Sequence, residues 1–314
     1  MTARREIAAT AQGQATALQR ATAIVPGTCG ELVQGVIGGR RFHVTCPIDL
    51  YAATTVTLRQ EGGIQGPQDS PKAARALETA LAELGMSGMG AEVEVERTLP
   101  RGKGMASSTA DVAGAIVAVY VAAGAPWTPT MVARLAVQVE PSDGVMFPGI
   151  VLFDHRDGAW EEDLGGPPAM SVAVLDFGGV VDTLAWNASD MAMGRADLEA
   201  SWAEALALVR AGLAQGDAGS IGAGATLSAM THARMIGSPH VEAALAVGRP
   251  LGAAGVCMAH SGTVLGLLFA GEQTAQALLA DVGRALPAIQ QSYAHRIVSG
   301  GVAVRRNVDR QGKV

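Results

Sequence analysis

Cysteine is scarce in this chain and poorly spaced for cross-linking: Cys29, Cys46 and Cys257 are odd in number, far apart in sequence and without CxxC spacing or a histidine cluster beside them. That argues against a disulfide framework and structural zinc, and makes a reducing, cytoplasmic compartment the expectation. Basic charge is also in deficit, with 23 Lys and Arg against 29 Asp and Glu and a formal net charge of −6. No basic patch stands out to neutralise a phosphate backbone, so nucleic acid is not the expected partner. Nor does any run have the composition of a membrane span. The longest uncharged stretch, residues 112–131, is broken by Gly124, Pro126 and Pro129 and diluted with alanine. Residues 1–20 carry early charges without a continuous apolar segment, and read as a frayed extension rather than a signal peptide. What the chain does have is core material: 49% apolar against 17% charged residues in 314 positions, enough for two ordinary domains and suited to a small-molecule enzyme.

Periodicity places the elements. Residues 24–51 read as strands joined by glycine-rich turns, and 52–59 continue with strand alternation. A Gly/Pro/Asp-rich surface loop over 61–71 leads to a helix over 72–84, with Ala76, Leu77, Ala80, Leu81 and Leu84 on one side. Helical spacing returns at 130–139, and GIVLFD and GAWEED form a strand pair around the turn His155-Arg156-Asp157-Gly158. LGGPPA, residues 164–169, is the clearest break and marks a domain boundary. Beyond it come a strand in SVAVLDF, helices over 197–213 and 219–235, strands over 253–259 and 263–269, a helix over 272–286 and a final strand including 296–304. Without a strict βαβα rhythm, the order favours α+β over a doubly wound sheet.

The densest chemistry lies in PRGKGMASSTAD, residues 100–111. AEVEVERTL before it alternates as a strand with one wet face, and DVAGAIVAVYVAAG after it reads as a core helix with Thr109 or Ser108 near its cap. Unpaired N–H groups in the first helical turn, with Gly102 and Gly104 permitting close approach, make a seat for a di- or triphosphate, and Ser107 and Ser108 add hydroxyls. No Walker A string occurs, and the degenerate GxGxxG lacks the apolar strand and later acidic residue of a dinucleotide fold. A plain strand-to-helix connection uses the same residues, and the loop alone does not choose between the two.

Three other places carry alternatives of the same kind. Glu140 and Asp143, three apart at a helix end, are what phosphoryl transfer to an alcohol asks for: one carboxylate for a divalent ion, another near the attacking hydroxyl. Acidic pairs in such turns are also commonly just solvated. PGTCGEL, residues 26–32, reads by itself as a turn and bulge in an edge hairpin. In AHSGT, His260 reads as a ligand, a base or a packed residue between two strands.

Taken together, PGTCGEL, PRGKGMASSTAD and GVCMAHSGTVLGLLF stand in the order and spacing of the three motifs of the GHMP family of small-molecule kinases, which the chain resembles over nearly its whole folded length. Within the family, GMASSTAD, EPSD, LFDH and AHSGTVLG are most similar to the branch acting on L-threonine in cobalamin synthesis. The resemblance implies an α+β GHMP kinase fold. Residues 1–22 would be a flexible extension, 23–167 a ribosomal-protein-S5-domain-2-like domain and 168–314 a ferredoxin-like domain, with the active site between the last two. It further implies that Pro100, Arg101, Gly102, Lys103, Gly104, Met105, Ala106, Ser107, Ser108 and Thr109 wrap the phosphates of ATP. Ser108 and Glu140 would hold Mg²⁺, and Asp143 would sit near the acceptor hydroxyl. Thr28, Cys29 and Glu31 would face or support the acceptor, and Ser261 and Gly262 would complete the cleft.

Two departures stand out. Ala106 occupies the place of a glycine found in many members, and Thr28 that of a lysine found in some. The expected reaction is ATP-dependent phosphorylation of the L-threonine side-chain hydroxyl to O-phospho-L-threonine, with a small molecule and ATP as partners, no membrane, and a homodimer left open. Rival expectations are a kinase for homoserine, serine or a similar alcohol, a non-catalytic nucleotide sensor and, more distantly, a nicotinamide oxidoreductase.

Overall fold

A long hairpin organises the molecule, whose computed structural model describes residues 20–66, 70–179 and 195–307. β1 (Arg20–Ile37) and β2 (Arg40–Arg59) pair antiparallel from Arg20↔Thr57 to Ile37↔Arg40. On one side β2 pairs with β4 (Gly90–Arg97), which carries the two-residue β3 (Ile64–Gln65). On the other, β1 meets β8 (Gly255–Met258), followed by β9 (Val264–Ala270), β7 (Met170–Asp176) and β10 (Gln291–Arg296). One sheet thus runs through the molecule in the order β10-β7-β9-β8-β1-β2-β4-β3. Short strands β5 (Val151–Phe153) and β6 (Glu161–Asp163) form the expected pair, and β5 leans on β2.

Helices α1 (Pro71–Glu83), α2 (Ser107–Ala122) and α3 (Pro129–Val139) belong to the first half. α2 is apolar all round and is buried at every position except Ser108, so it serves as the axis of the first core rather than a surface helix. The second half adds α4 (Ala196–Gln215), α5 (Ala218–Ile236), α6 (His240–Gly248) and α7 (Thr274–Ala285). Its β7-helices-β8-β9-α7-β10 succession with neighbours β10-β7-β9-β8 is the split βαβ arrangement of a ferredoxin-like unit. The α+β expectation therefore holds.

Long-range pairing produces the differences from the sequence reading. The expected final strand over 296–304 is two strands. After β10 the chain crosses over, bridging Ile48↔Ile297 and Gly149↔Gly300, and β11 (Ala303–Asn307) pairs with β1. PGTCGEL is no edge hairpin. It lies within β1, with irregular pairing to β2 at Pro26/Gly27, Thr28/Glu31 and Glu31/Val33, and β8 meets it at Glu31. α6, absent from the sequence reading, is a nine-residue helix that buries Val241, Ala244 and Leu245. The three cysteines gather in the core where β1, β2 and β8 meet, all free, with the Cys257 thiol donating to the Cys29 carbonyl at 3.1 Å. Of the expected extension, residues 1–19 lie outside the described residues, and Arg20, Ala21 and Thr22 belong to β1. Among the described residues no helix is long and apolar enough to cross a membrane.

Candidate active site

Three segments distant in sequence close on one another at the start of α2. Gly30, with φ +60°, lies so near the end of β8 that a Cβ there would fall 2.4 Å from the Ala259 nitrogen. A Cβ at Gly262 would fall 2.1 Å from the Lys103 carbonyl oxygen. The Thr28 N–H donates to the Met105 carbonyl and the Thr263 N–H to the Lys103 carbonyl, each at 3.2 Å. Residues 100–106 are thus held between β1 and the β8–β9 turn. α2 begins at Ser107, one or two residues before the expected cap, because Ala106 turns the chain with φ 56° and ψ 22°. No side chain caps this end. Its first N–H groups and the positive end of the helix dipole are left to an anion.

Ala106 alone among the described non-glycine residues has positive φ. Strain of this kind costs about 1–2 kcal/mol and concentrates at functional sites. Ala106→Gly should therefore raise stability by about 0.5–1 kcal/mol, the relief less the added freedom of the unfolded chain. Thermal unfolding checks this, and a lower Tm would show that Ala106 is unstrained.

The helix end faces a cleft of about 310 Å³, lined among others by Arg101, Gly102, Gly104, Met105, Ala106, Ser107, Ser108 and Thr109. Glu31, Glu140, Asp143 and Ser261 line the same space. Five expected residues stand back from it. Pro100 only leads into the loop, and Lys103 turns away to Asp176 at 2.9 Å and the Gly179 carbonyl at 2.8 Å. Cys29 packs in the core, and the buried Thr28 hydroxyl has no hydrogen-bond partner among the described residues. Gly262 backs the loop rather than facing the cleft.

Glu140 is delivered by the end of α3, where the chain turns extended with φ −164°. Its carboxylate is buried, one oxygen accepting from the Ser108 hydroxyl and the other from the Lys72 ammonium. Lys72 escaped the sequence reading. It occupies the first turn of α1, where the helix dipole disfavours a cation, and that mismatch was its only local signal. Asp143 follows on the 3₁₀ turn after α3, its N–H donating to Thr109 Oγ1 at 3.2 Å. A hydroxyl and a buried carboxylate already balanced by a cation are hard oxygen donors of the kind Mg²⁺ takes, so Ser108 and Glu140 fit that ion.

Beneath this lies a group of histidines of which only His260 was singled out from sequence. His43 stacks on His155 with ring centroids 3.6 Å apart, and His260 tilts against His43 at 4.5 Å. Gln34 Nε2 donates to the Met258 carbonyl at 3.1 Å, so its oxygen, 2.6 Å from His260 Nδ1, accepts the proton carried there. Burial first, then the neighbouring histidines, pushes His260 well below its ordinary range, and burial with His43 does the same to His155. His232, 3.0 Å from the His260 carbonyl, is lowered by burial to about 4.

The unfolded chain takes up a proton on His232 before the folded one does. Its contribution is therefore intact above about pH 6.5 and is lost as pH falls towards 4, by about 3 kcal/mol in all. Urea unfolding at pH 7 and pH 4.5 should show this loss, and a smaller one in His232→Gln; equal losses would remove His232 as a cause.

Glu31 faces His43 and Asp143 at the bottom of the cleft. Burial, followed by repulsion from Asp143, pushes its carboxyl well above the usual carboxylate range.

The family pattern of the GHMP kinases N terminal domain matches residues 71–147, and that of the GHMP kinases C terminal domain matches residues 209–288. An L-threonine kinase from Citrobacter freundii is 30% identical over 252 residues, covering 79% of this chain and 86% of the relative. An L-threonine kinase from Salmonella typhimurium is 31% identical over 248 residues, covering 79% and 82%. Among solved structures, a homoserine kinase from Cytophaga hutchinsonii superposes with a TM-score of 0.74 over 93% of this chain and 99% of its own, at 16% identity. That likeness speaks for the fold alone.

Proposed function

The chain belongs to the GHMP kinases, and within that family we propose that it transfers the terminal phosphoryl group of ATP to the side-chain hydroxyl of L-threonine, giving O-phospho-L-threonine and ADP. The product would supply the aminopropanol linker of cobalamin. One observation carries the reading: the single residue of α2 that is not buried, Ser108, meets a buried carboxylate at an uncapped helix end in the cleft, with Asp143 beside it.

The N–H groups at the start of α2 receive the phosphate tail, and the loop clamped by Thr28 and Thr263 holds them in place before substrate arrives. Mg²⁺, held by Ser108 and Glu140, would neutralise charge on the transferred group. Lys72 holds the Glu140 carboxylate in place until then. Asp143, fixed by Thr109, orients the acceptor hydroxyl and takes its proton. Lys103 acts as a strut between the loop and β7, and Cys29 and Thr28 support the floor from behind. In this proposal the domains divide after residue 167, a division supported by the two family patterns falling on either side of it.

ADP release with Mg²⁺ and ATP across L-threonine, L-serine, L-homoserine and mevalonate tests this. L-threonine should give the highest kcat/KM. Preference for another acceptor would overturn the substrate, and no ATP consumption with any of them would overturn the kinase.

A further inference from the structure

We propose that Glu31, His43 and Asp143 form a seat for a primary ammonium group, so that the acceptors of this site are amino alcohols with amine and hydroxyl on neighbouring carbons. The inference rests on the kinase reading and narrows it.

Three polar side chains converge where two halves of the protein meet. His43 Nδ1 lies 3.7 Å from Glu31 Oε1 and 3.7 Å from Asp143 Oδ1, and the ligand atoms of all three lie within 4.8 Å of one another. A separation of 3.7 Å is too long for a hydrogen bond between the groups and short enough for one atom to bridge them. The Glu31 and His43 side chains are only 3% and 4% exposed, while Asp143, at 21%, opens towards the cleft. Among the described residues, both His43 nitrogens and Glu31 Oε2 lack a hydrogen-bond partner. Buried polar atoms are rarely left so, and several around one point mark the place of a ligand.

The chemistry of that ligand follows from the donors and charges. An ammonium carries three N–H donors and no acceptor, which matches two carboxylates and an imidazole lone pair one for one. Two carboxyl groups crowded in a buried corner repel each other, and a cation between them relieves both. Irregular pairing on either side of Glu31 sets it apart from the regular register of β1 with β2, as bulges beside active sites do.

Asp143 also limits the spacing. Its Oδ1 faces His43, and its Oδ2 lies 3.5 Å from Thr109 Oγ1, on the side of the phosphate loop. A ligand whose ammonium rests on the triangle and whose hydroxyl reaches that loop along the same carboxylate needs the two groups close together, as adjacent carbons place them.

The test compares kcat/KM, with Mg²⁺ and ATP, for L-threonine, 1-amino-2-propanol, 3-hydroxybutyrate and N-acetyl-L-threonine. A site built for a hydrogen-bonded group rejects analogues lacking it by roughly 10⁴-fold. 3-Hydroxybutyrate and N-acetyl-L-threonine should fall by that order, and 1-amino-2-propanol should remain a substrate. In Glu31→Gln the KM for L-threonine should rise roughly 100-fold while the KM for ATP stays within a factor of two.

Turnover of 3-hydroxybutyrate within tenfold of L-threonine would overturn the ammonium seat and leave the kinase standing. If no amino alcohol is phosphorylated, both fall. Stoichiometric Zn²⁺ binding to the wild-type protein that is lost in His43→Ala and competes with L-threonine would assign the triangle to a metal instead. Should Glu31→Gln fail to fold, the wild-type acceptor series decides alone.

Discussion

Glu140→Gln lowers kcat/KM for phosphoryl transfer by roughly 10³-fold, because the amide keeps the shape of the carboxylate and loses its charge. That factor corresponds to about 4 kcal/mol of transition-state stabilisation, within the several kcal/mol a bound divalent ion supplies. Both oxygens of Glu140 are engaged, one by Ser108 and one by Lys72, so the glutamine still accepts from one of them and the fold should survive. Truncation is harsher, since Glu140→Ala strands the Lys72 ammonium next to a cavity. Steady-state kinetics with Mg²⁺ titrated over two decades, alongside circular dichroism, separates lost metal affinity from lost fold. Full activity in Glu140→Gln would take the metal role away from this residue.

Asp143→Asn is expected to lower kcat by roughly 10²–10⁴-fold, the usual contribution of a positioned proton acceptor, with nucleotide affinity unchanged within a factor of two. The backbone N–H of Asp143 makes the 3.2 Å bond to Thr109 and its side chain accepts only a longer one at 3.5 Å, so the substitution leaves the loop anchored. Single-turnover transfer to L-threonine and calorimetric titration of nucleotide check the two halves of this expectation. A kcat within threefold of wild type would leave Asp143 with a binding role only.

Local features were legible in the sequence and long-range ones were not. The alternation of residues 91–99, the alanine-rich helix after Ser107 and the turn at residues 155–158 are set by neighbours a few positions away, and the structure places them within a residue or two. The loop before α2 was legible for the same reason, since glycine, serine and a helix start fall within one short string. The partners of Glu140 were not. Lys72 lies 68 positions away, and no periodicity links the two. The corner of Glu31, His43 and Asp143 depends on β1 pairing with β2 and on the turn after α3 arriving against them. His43 sits in FHV, an ordinary strand triplet, and nothing nearby announces that its ring stacks on His155. β11 was misplaced for a related reason: its five residues suit any sheet edge, and only the crossover at Gly149↔Gly300 decides that the edge is β1.

The same closures explain why residues from every part of the chain serve one cleft. Gly30 and Gly262 lack side chains where β1, the loop before α2 and the β8–β9 turn touch, so the first and second halves approach to backbone contact. That contact sets Ser108, Glu140 and Asp143 against Glu31 and Ser261.

A crystal structure with Mg²⁺ and a non-hydrolysable ATP analogue tests the central claim most directly. The triphosphate should lie across the N–H groups that open α2, with the ion on Ser108 Oγ and the Glu140 carboxylate and the terminal phosphate directed towards Asp143. A triphosphate bound elsewhere, or an ion that ignores both Ser108 and Glu140, would contradict it.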